Sequence, residues 1–185
     1  MVIKKSNKNI KVVLFDLDNT LYPHLLERKK TNKDIKKIEF NEFTKNLNNV
    51  FKEIKKMGIK IGIVTNSDYN KASKRVKDLK IEKYLDLIVA LNKCRKKPFP
   101  DLFYRAIKKL EVKPFEILYV GDNFIDDILG SKFLGIKTVL FKYNSNWYHK
   151  KIVKFDLLHL IAPDFLIEDL KDVPRLIKNM TSSPD

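Results

Sequence analysis

Val12-Val13-Leu14-Phe15-Asp16-Leu17-Asp18 is the stretch that most limits what this chain can fold into. Four apolar residues in a row suit a buried strand, and that strand runs straight into two carboxylates one residue apart. Side chains at i and i+2 of a strand share a side, so Asp16 and Asp18 start out pointing together. Two like charges that close are unfavourable unless a cation lies between them or one holds a proton. Apolar burial beside such a pair makes sense chiefly where the pair does chemistry.

The remaining apolar runs show what surrounds that strand. Short runs at Lys60 to Thr65, Asp86 to Ala90, Ile117 to Val120, Ile136 to Phe141 and Phe165 to Ile167 alternate with helical patterns. Such alternation predicts an α/β fold, a Rossmann-like three-layer α/β/α sandwich whose central, mainly parallel sheet has about five to six strands. Helices are expected over Asn41 to Met57, from Tyr69 to about Leu79, from Pro100-Asp101 to Leu110, over Ile125 to Leu134, and near the end around Leu170 to Ile177. Phe43, Leu47, Val50, Phe51, Ile54 and Met57 make one face of the first of these, with Gly58 placed to end it. The stretch 22–40 is polar and lysine-rich without clean periodicity and reads as a loop or flap. Asn144 to Ile161 reads as irregular, and Met180 to Asp185 as a frayed tail.

At 185 residues, with no repeat or linker, the chain reads as a single domain over 1–185. Its single cysteine, Cys94, excludes a disulfide framework and a cysteine-based zinc site. No leader pattern opens the sequence, and no apolar run approaches the roughly 20 residues that span a bilayer. The expectation is a cytoplasmic protein with no membrane partner, monomeric or homodimeric. Lysine and arginine total 38 against 23 acidic residues, a net charge of +15. A nucleic-acid partner fits that balance, but the basic residues are spread along the whole chain, so solvated helix faces are the favoured reading.

Ligands of open α/β sheets bind at the carboxyl ends of the strands. Applied here, that rule collects Asp16 and Asp18 after the first strand, Thr65 after the second, and Asp122, Asp126 and Asp127 after the fourth. The segment Lys93-Cys94-Arg95-Lys96-Lys97-Pro98-Phe99-Pro100 adds cations to the same rim. Competing readings stand beside several of these. Thr65 and Asp122 also suit helix N-caps, and either Asp126 or Asp127 can face the site. His24, His149 and His159 have no recognisable ligand partners, and Cys94 reads as a bystander.

These residues resemble, in order, the four motifs of the haloacid dehalogenase superfamily of phosphohydrolases. Asp16-Leu17-Asp18-Asn19-Thr20 is similar to the first motif, Thr65 at its strand end to the second, Lys97-Pro98-Phe99-Pro100 to the third, and Gly121-Asp122 with Asp127 to the fourth. The resemblance covers about Lys11 to Phe141. It implies a phosphomonoester hydrolase in which Asp16 is the nucleophile that forms an aspartyl-phosphate and Asp18 is the general acid and base. It implies Mg2+ held by Asp16, the backbone carbonyl of Asp18 and Asp122. Thr65, Asn66 and Lys97 would bind the phosphoryl group, and Asp127, favoured over Asp126 by the family's spacing, would orient Lys97 or a water. Asp18 further points to the phosphatase branch over the dehalogenases.

Relatives with a cap insert it between the first two motifs, and the stretch 22–40 is too short to fold into one. The chain therefore resembles the minimal, capless members, whose open sites take large substrates or gain a lid by oligomerising. The substrate is expected to be a phosphorylated small molecule or macromolecule; nucleotides, sugar phosphates and phosphotyrosine all remain open. The alternative from another class is a nucleic-acid-associated protein, either a polynucleotide-end phosphatase or a basic binding module.

Overall fold

The computed structural model describes residues 10–23, 33–142 and 162–181, the side chains of residues 33–37 excepted. In chain order the main elements are β1 (Val12–Phe15), α1 (Lys33–Lys56), β2 (Lys60–Val64), α2 (Tyr69–Asp78), β3 (Leu87–Val89) and α3 (Asp101–Leu110). They are followed by β4 (Ile117–Gly121), α4 (Gly130–Lys132), β5 (Lys137–Phe141), β6 (Phe165–Ile167) and α5 (Asp172–Thr181). The strands form one sheet in the order β3-β2-β1-β4-β5-β6, and every pairing is parallel. This is the expected Rossmann-like architecture, with no large cap among the described residues.

Strand alternation sorts the core into two layers. Val13 and Phe15 of β1, Ile61 and Ile63 of β2 and Val120 of β4 face Leu47, Phe51 and Ile54 of α1, Val76 of α2 and Val173 and Ile177 of α5. Val12 and Leu14 point to the other side with Val64 and Tyr119, where they meet Leu102, Phe103, Ala106 and Leu110 of α3. A four-residue apolar run is needed because β1 is central and covered on both faces. All four of its side chains are fully buried.

Register then sets the site. Phe15 pairs with Ile63 on one side and Val120 on the other, so three strands end at one level. Pairing continues one residue further, with Asp16 N–H donating to Val120 O at 2.9 Å and Thr65 N–H to Val89 O at 3.0 Å. Asp16, Thr65 and Asp122 thus leave neighbouring strands at the same edge.

Two stretches differ from the sequence reading. Helix α1 starts at Lys33, well inside the stretch expected to be a loop. No glycine or proline lies between Lys33 and Lys56, and the lysines and glutamates there favour helix with or without an apolar stripe. Second, the expected regular helix over Ile125 to Leu134 is a wide π turn over Phe124–Leu129 followed by the short α4. The irregular stretch expected over Asn144 to Ile161 lies outside the described residues; of the frayed tail expected over Met180 to Asp185, Met180 and Thr181 instead end α5, and the rest lies outside the described residues. Among the described residues no helix is long and apolar enough to cross a membrane.

Candidate active site

The turn after β1 shapes the first wall of the site. Tyr22 N–H donates to Leu17 O at 2.8 Å and Asn19 N–H to Tyr22 O at 2.9 Å, folding the chain back on itself. Asn19 takes the left-handed conformation this needs (φ 68°), which asparagine tolerates better than most residues. The reversal brings the Thr20 hydroxyl to Asp122, to which it donates at 3.3 Å.

Lys97 lies at the centre, 2 % exposed. Its three N–H bonds are shared among four acceptors, Asp16 Oδ1 at 2.5 Å, Asp127 Oδ1 at 2.6 Å, the Tyr119 hydroxyl at 2.9 Å and Val64 O at 3.1 Å. Among Lys93, Arg95, Lys96 and Lys97, it is Lys97 that enters the core. Asn66 holds its backbone: Lys97 N–H donates to Asn66 Oδ1 at 2.8 Å, and Asn66 Nδ2 donates to Lys97 O at 3.3 Å. The Asn66 side chain is thus engaged in placing the lysine.

Asp127, not Asp126, is the inward carboxylate. It is 1 % exposed, and its second oxygen accepts from Asn123 N–H at 2.9 Å. The π turn makes this possible: Asn123 O accepts from both Asp127 N–H (2.9 Å) and Ile128 N–H (3.3 Å), widening the helix where the carboxylate turns in. Single π turns of this kind recur at functional sites. Asp126 is only partly buried and meets Asn66 Nδ2 at 3.4 Å.

Two glycines give these groups room. A methyl on Gly121 would lie 2.5 Å from Asp127 Oδ2, and one on Gly130 would lie 2.7 Å from Pro98 O, behind Lys97. G121A is expected to cost about 1–3 kcal/mol by overpacking. Because the displaced group is Asp127, activity should fall together with the denaturation midpoint; an unchanged midpoint would contradict this packing.

Thr65 is fully buried and its hydroxyl accepts from Ser67 N–H at 3.1 Å. It is not the cap of α2; that role belongs to Asp68, whose Oδ1 accepts from Lys71 N–H at 2.9 Å. The Asp18 side chain stands apart from the lysine cluster. Ser67 Oγ donates to its Oδ2 at 2.6 Å, and Arg75 of α2 pairs with its Oδ1.

Three carboxylate oxygens, one each from Asp16, Asp122 and Asp127, lie within 4.8 Å of one another. Burial pushes Asp16 up to about 7, opposed by Lys97 and reinforced by Asp127. Burial and Asp127 likewise push Asp122 up to about 6. Burial works against the Lys97 ammonium too, but Asp127 and Asp16 outweigh it and hold the lysine charged. The cluster therefore carries more carboxylate than its lysine balances, and a hard-oxygen donor set of this kind fits a divalent cation such as Mg2+.

A pH signature follows. A carboxylate whose folded-state pKa is raised adds stability below its unfolded value, near 3.9, and loses it as pH rises through the folded value. In metal-free protein, Asp16 and Asp122 should lower stability progressively up to pH about 6 to 7. Cation binding needs them ionised and releases their protons. The increase in Tm caused by Mg2+ should accordingly be larger near pH 8 than near pH 5.5, and equal increases would count against this cluster as the site.

Sequence reading did not single out Tyr119, Ser67 or Arg75. Each left a signal. A tyrosine inside the buried run of β4 needs a partner for its hydroxyl, and Tyr119 has Lys97 and Asp127. Arg75 falls between Ala72, Val76 and Leu79 on the inward stripe of α2, an unusual place for a cation without a task.

This chain belongs to the haloacid dehalogenase-like hydrolase family, whose sequence profile matches residues 23–141. It is 30% identical over 131 residues to the glyceraldehyde 3-phosphate phosphatase of Pyrococcus furiosus, a match covering 70% of this chain and 52% of that protein. It is 31% identical over 133 residues to the pyrophosphatase PpaX of Bacillus cereus, covering 71% of this chain and 58% of the relative. The chain thus spans between half and two thirds of the length of these curated relatives. Its fold matches an HAD phosphatase from Thermococcus onnurineus with a TM-score of 0.66 at 20% identity, covering 91% of this chain and 98% of that one. The L-2-haloacid dehalogenase of Xanthobacter autotrophicus gives 0.68 at 18% identity, with 92% and 99% covered.

Proposed function

We propose that this chain is a Mg2+-dependent phosphomonoester hydrolase that works through an aspartyl-phosphate on Asp16. The observation that carries the reading is the convergence of Asp16, Lys97, Asp122 and Asp127 at one sheet edge, with Asp18 beside them on its own hydrogen-bonded mount. In this reading the chain is one hydrolase unit, and the stretch between β1 and the body of α1 takes the place of a cap.

An Asp16 carboxylate oxygen attacks phosphorus as the bond from phosphorus to the leaving oxygen breaks, and Asp18 gives that oxygen its proton. Water then attacks the same phosphorus, Asp18 takes the water's proton, and inorganic phosphate leaves with Asp16 restored. Lys97 and the Thr65 hydroxyl stabilise the phosphoryl oxygens as charge moves, and Lys97 keeps Asp16 aimed. Asp16, Asp122 and the Asp18 backbone carbonyl would hold Mg2+, with Asp127 close enough to orient Lys97 or a bound water. When bound, the ion supplies positive charge beside the nucleophile and the transferring group.

The relatives named for glyceraldehyde 3-phosphate and for pyrophosphatase activity support a phosphorylated small molecule as substrate. The test is phosphate release from p-nitrophenyl phosphate. Activity should require Mg2+, stop in EDTA and return when Mg2+ is added in excess. Full turnover in EDTA would overturn the reading.

A further inference from the structure

We infer that Tyr119 is a positioning residue for Lys97, its hydroxyl holding Asp127 while the lysine turns to the phosphoryl group. The inference rests on the proposed contact between Lys97 and the phosphoryl oxygens. Lys97 is buried, and its three N–H bonds already face four acceptors. To serve a phosphoryl oxygen it must withdraw a hydrogen from one of them. Asp127 is the acceptor that can spare one. Its Oδ1 lies 2.6 Å from Lys97 Nζ and 2.9 Å from the Tyr119 hydroxyl, and its Oδ2 accepts from Asn123 N–H at 2.9 Å. The hydroxyl has one hydrogen and two places to give it. The charged Asp127 oxygen is nearer than Val64 O, at 3.3 Å, and makes the stronger bond. With that hydrogen in place, Oδ1 stays paired when the lysine leaves it.

The hydroxyl is held where this needs it. Tyr119 is fully buried on the α3 side of β4, and its ring meets Phe103 of α3 edge-on at 4.9 Å. So placed, it acts through Lys97 and Asp127. Phenylalanine at this position would keep the packing and remove the hydroxyl alone. Lys97 would then have three N–H bonds for three acceptors, Asp16, Asp127 and Val64, and the resting site would be fully paired. Asp127 Oδ1 would depend on the lysine alone, and turning the lysine toward phosphorus would strip a buried carboxylate oxygen of its donor. The loss falls on the phosphoryl-bound states and spares the resting protein.

The test is turnover of p-nitrophenyl phosphate in Mg2+ and its inhibition by orthovanadate, which imitates the transferring phosphoryl group. Tyr119→Phe should lower kcat at least about tenfold, the worth of one hydrogen bond to a charged group, and raise the vanadate inhibition constant by a similar factor. The rise in Tm caused by Mg2+ should stay as in the native protein, because Asp16 and Asp122 are untouched. Phe103→Leu disturbs the packing around the same ring and keeps the hydroxyl, so it should lower Tm and leave vanadate inhibition near its native strength. Unchanged kcat and vanadate inhibition in Tyr119→Phe would overturn the inference. An equal weakening of vanadate in Phe103→Leu would also overturn it, making packing the cause, as would loss of the Mg2+ effect in Tyr119→Phe. All three results leave the proposed function standing. If the native protein shows no Mg2+-dependent turnover, the proposed function fails and this inference falls with it.

Discussion

Asp16→Asn is expected to lower phosphate release by at least about 10³-fold while leaving the fold intact. The substitution keeps the shape of the side chain, and an amide oxygen still accepts from Lys97, which lies 2.5 Å from Oδ1 in the native site. What disappears is the nucleophile of the proposed mechanism. Without it no aspartyl-phosphate forms, and direct attack by water lacks the paired attack and protonation of the two-step route. The variant also loses one of three clustered carboxylates, so Mg2+ should raise its Tm less than that of the native protein. Steady-state turnover, acid-quenched labelling of the protein by phosphate, and thermal melts with and without Mg2+ check the three parts. Retained turnover would sink the assignment of Asp16, whatever the fate of the fold.

Much of that site was legible in the sequence because parallel strands of matched register turn position along the chain into position in space. Asp16, Thr65 and Asp122 each follow an apolar run, and register alone brings them to one edge. Lys97 was harder, since it sits among Lys93, Arg95 and Lys96; its local Pro-Phe-Pro context selected it, and Asn66 explains how the backbone is held. Asp126 and Asp127 are adjacent on a helix, where small changes of pitch decide which points inward. The π turn that decides it depends on bonds to Asn123 and Lys97, and no 3.6-residue periodicity announces it.

The opposite kind of miss occurs at α1 and at Asp18. Helix α1 reaches back to Lys33 through residues that favour helix one by one but present no stripe, and hydrophobic periodicity is silent about such turns. The partners of Asp18 come from Ser67 and Arg75, far along the chain on the loop after β2 and on α2, and pairwise tertiary contacts of that kind leave only a misplaced polar residue as a trace.

Lys97→Met should be the most damaging single change to stability. Methionine nearly matches the length and volume of lysine, so cavity formation is a small part of its effect. The dominant part is electrostatic: Asp16 and Asp127, 8% and 1% exposed at their side chains, lose the cation they share. Removing one partner of a buried charged network typically costs about 3–5 kcal/mol, because the remaining charge stays buried and uncompensated. Tyr119 can still donate to Asp127 Oδ1 at 2.9 Å, which limits the loss on that side. Asp16 has no such substitute among its described side-chain partners, and its pKa, already near 7 with Lys97 present, should rise further. The loss must then depend on pH with a fixed sign. Protonating Asp16 removes its uncompensated charge, so the gap between variant and native protein should be wider near pH 8 than near pH 6 and level off below about 6, where Asp16 is protonated in both. Denaturant melts of both proteins at the two pH values decide it. A gap that is constant or grows toward acid would mean that Lys97 acts by packing, and that the triad of Asp16, Lys97 and Asp127 is not the electrostatic centre of the site.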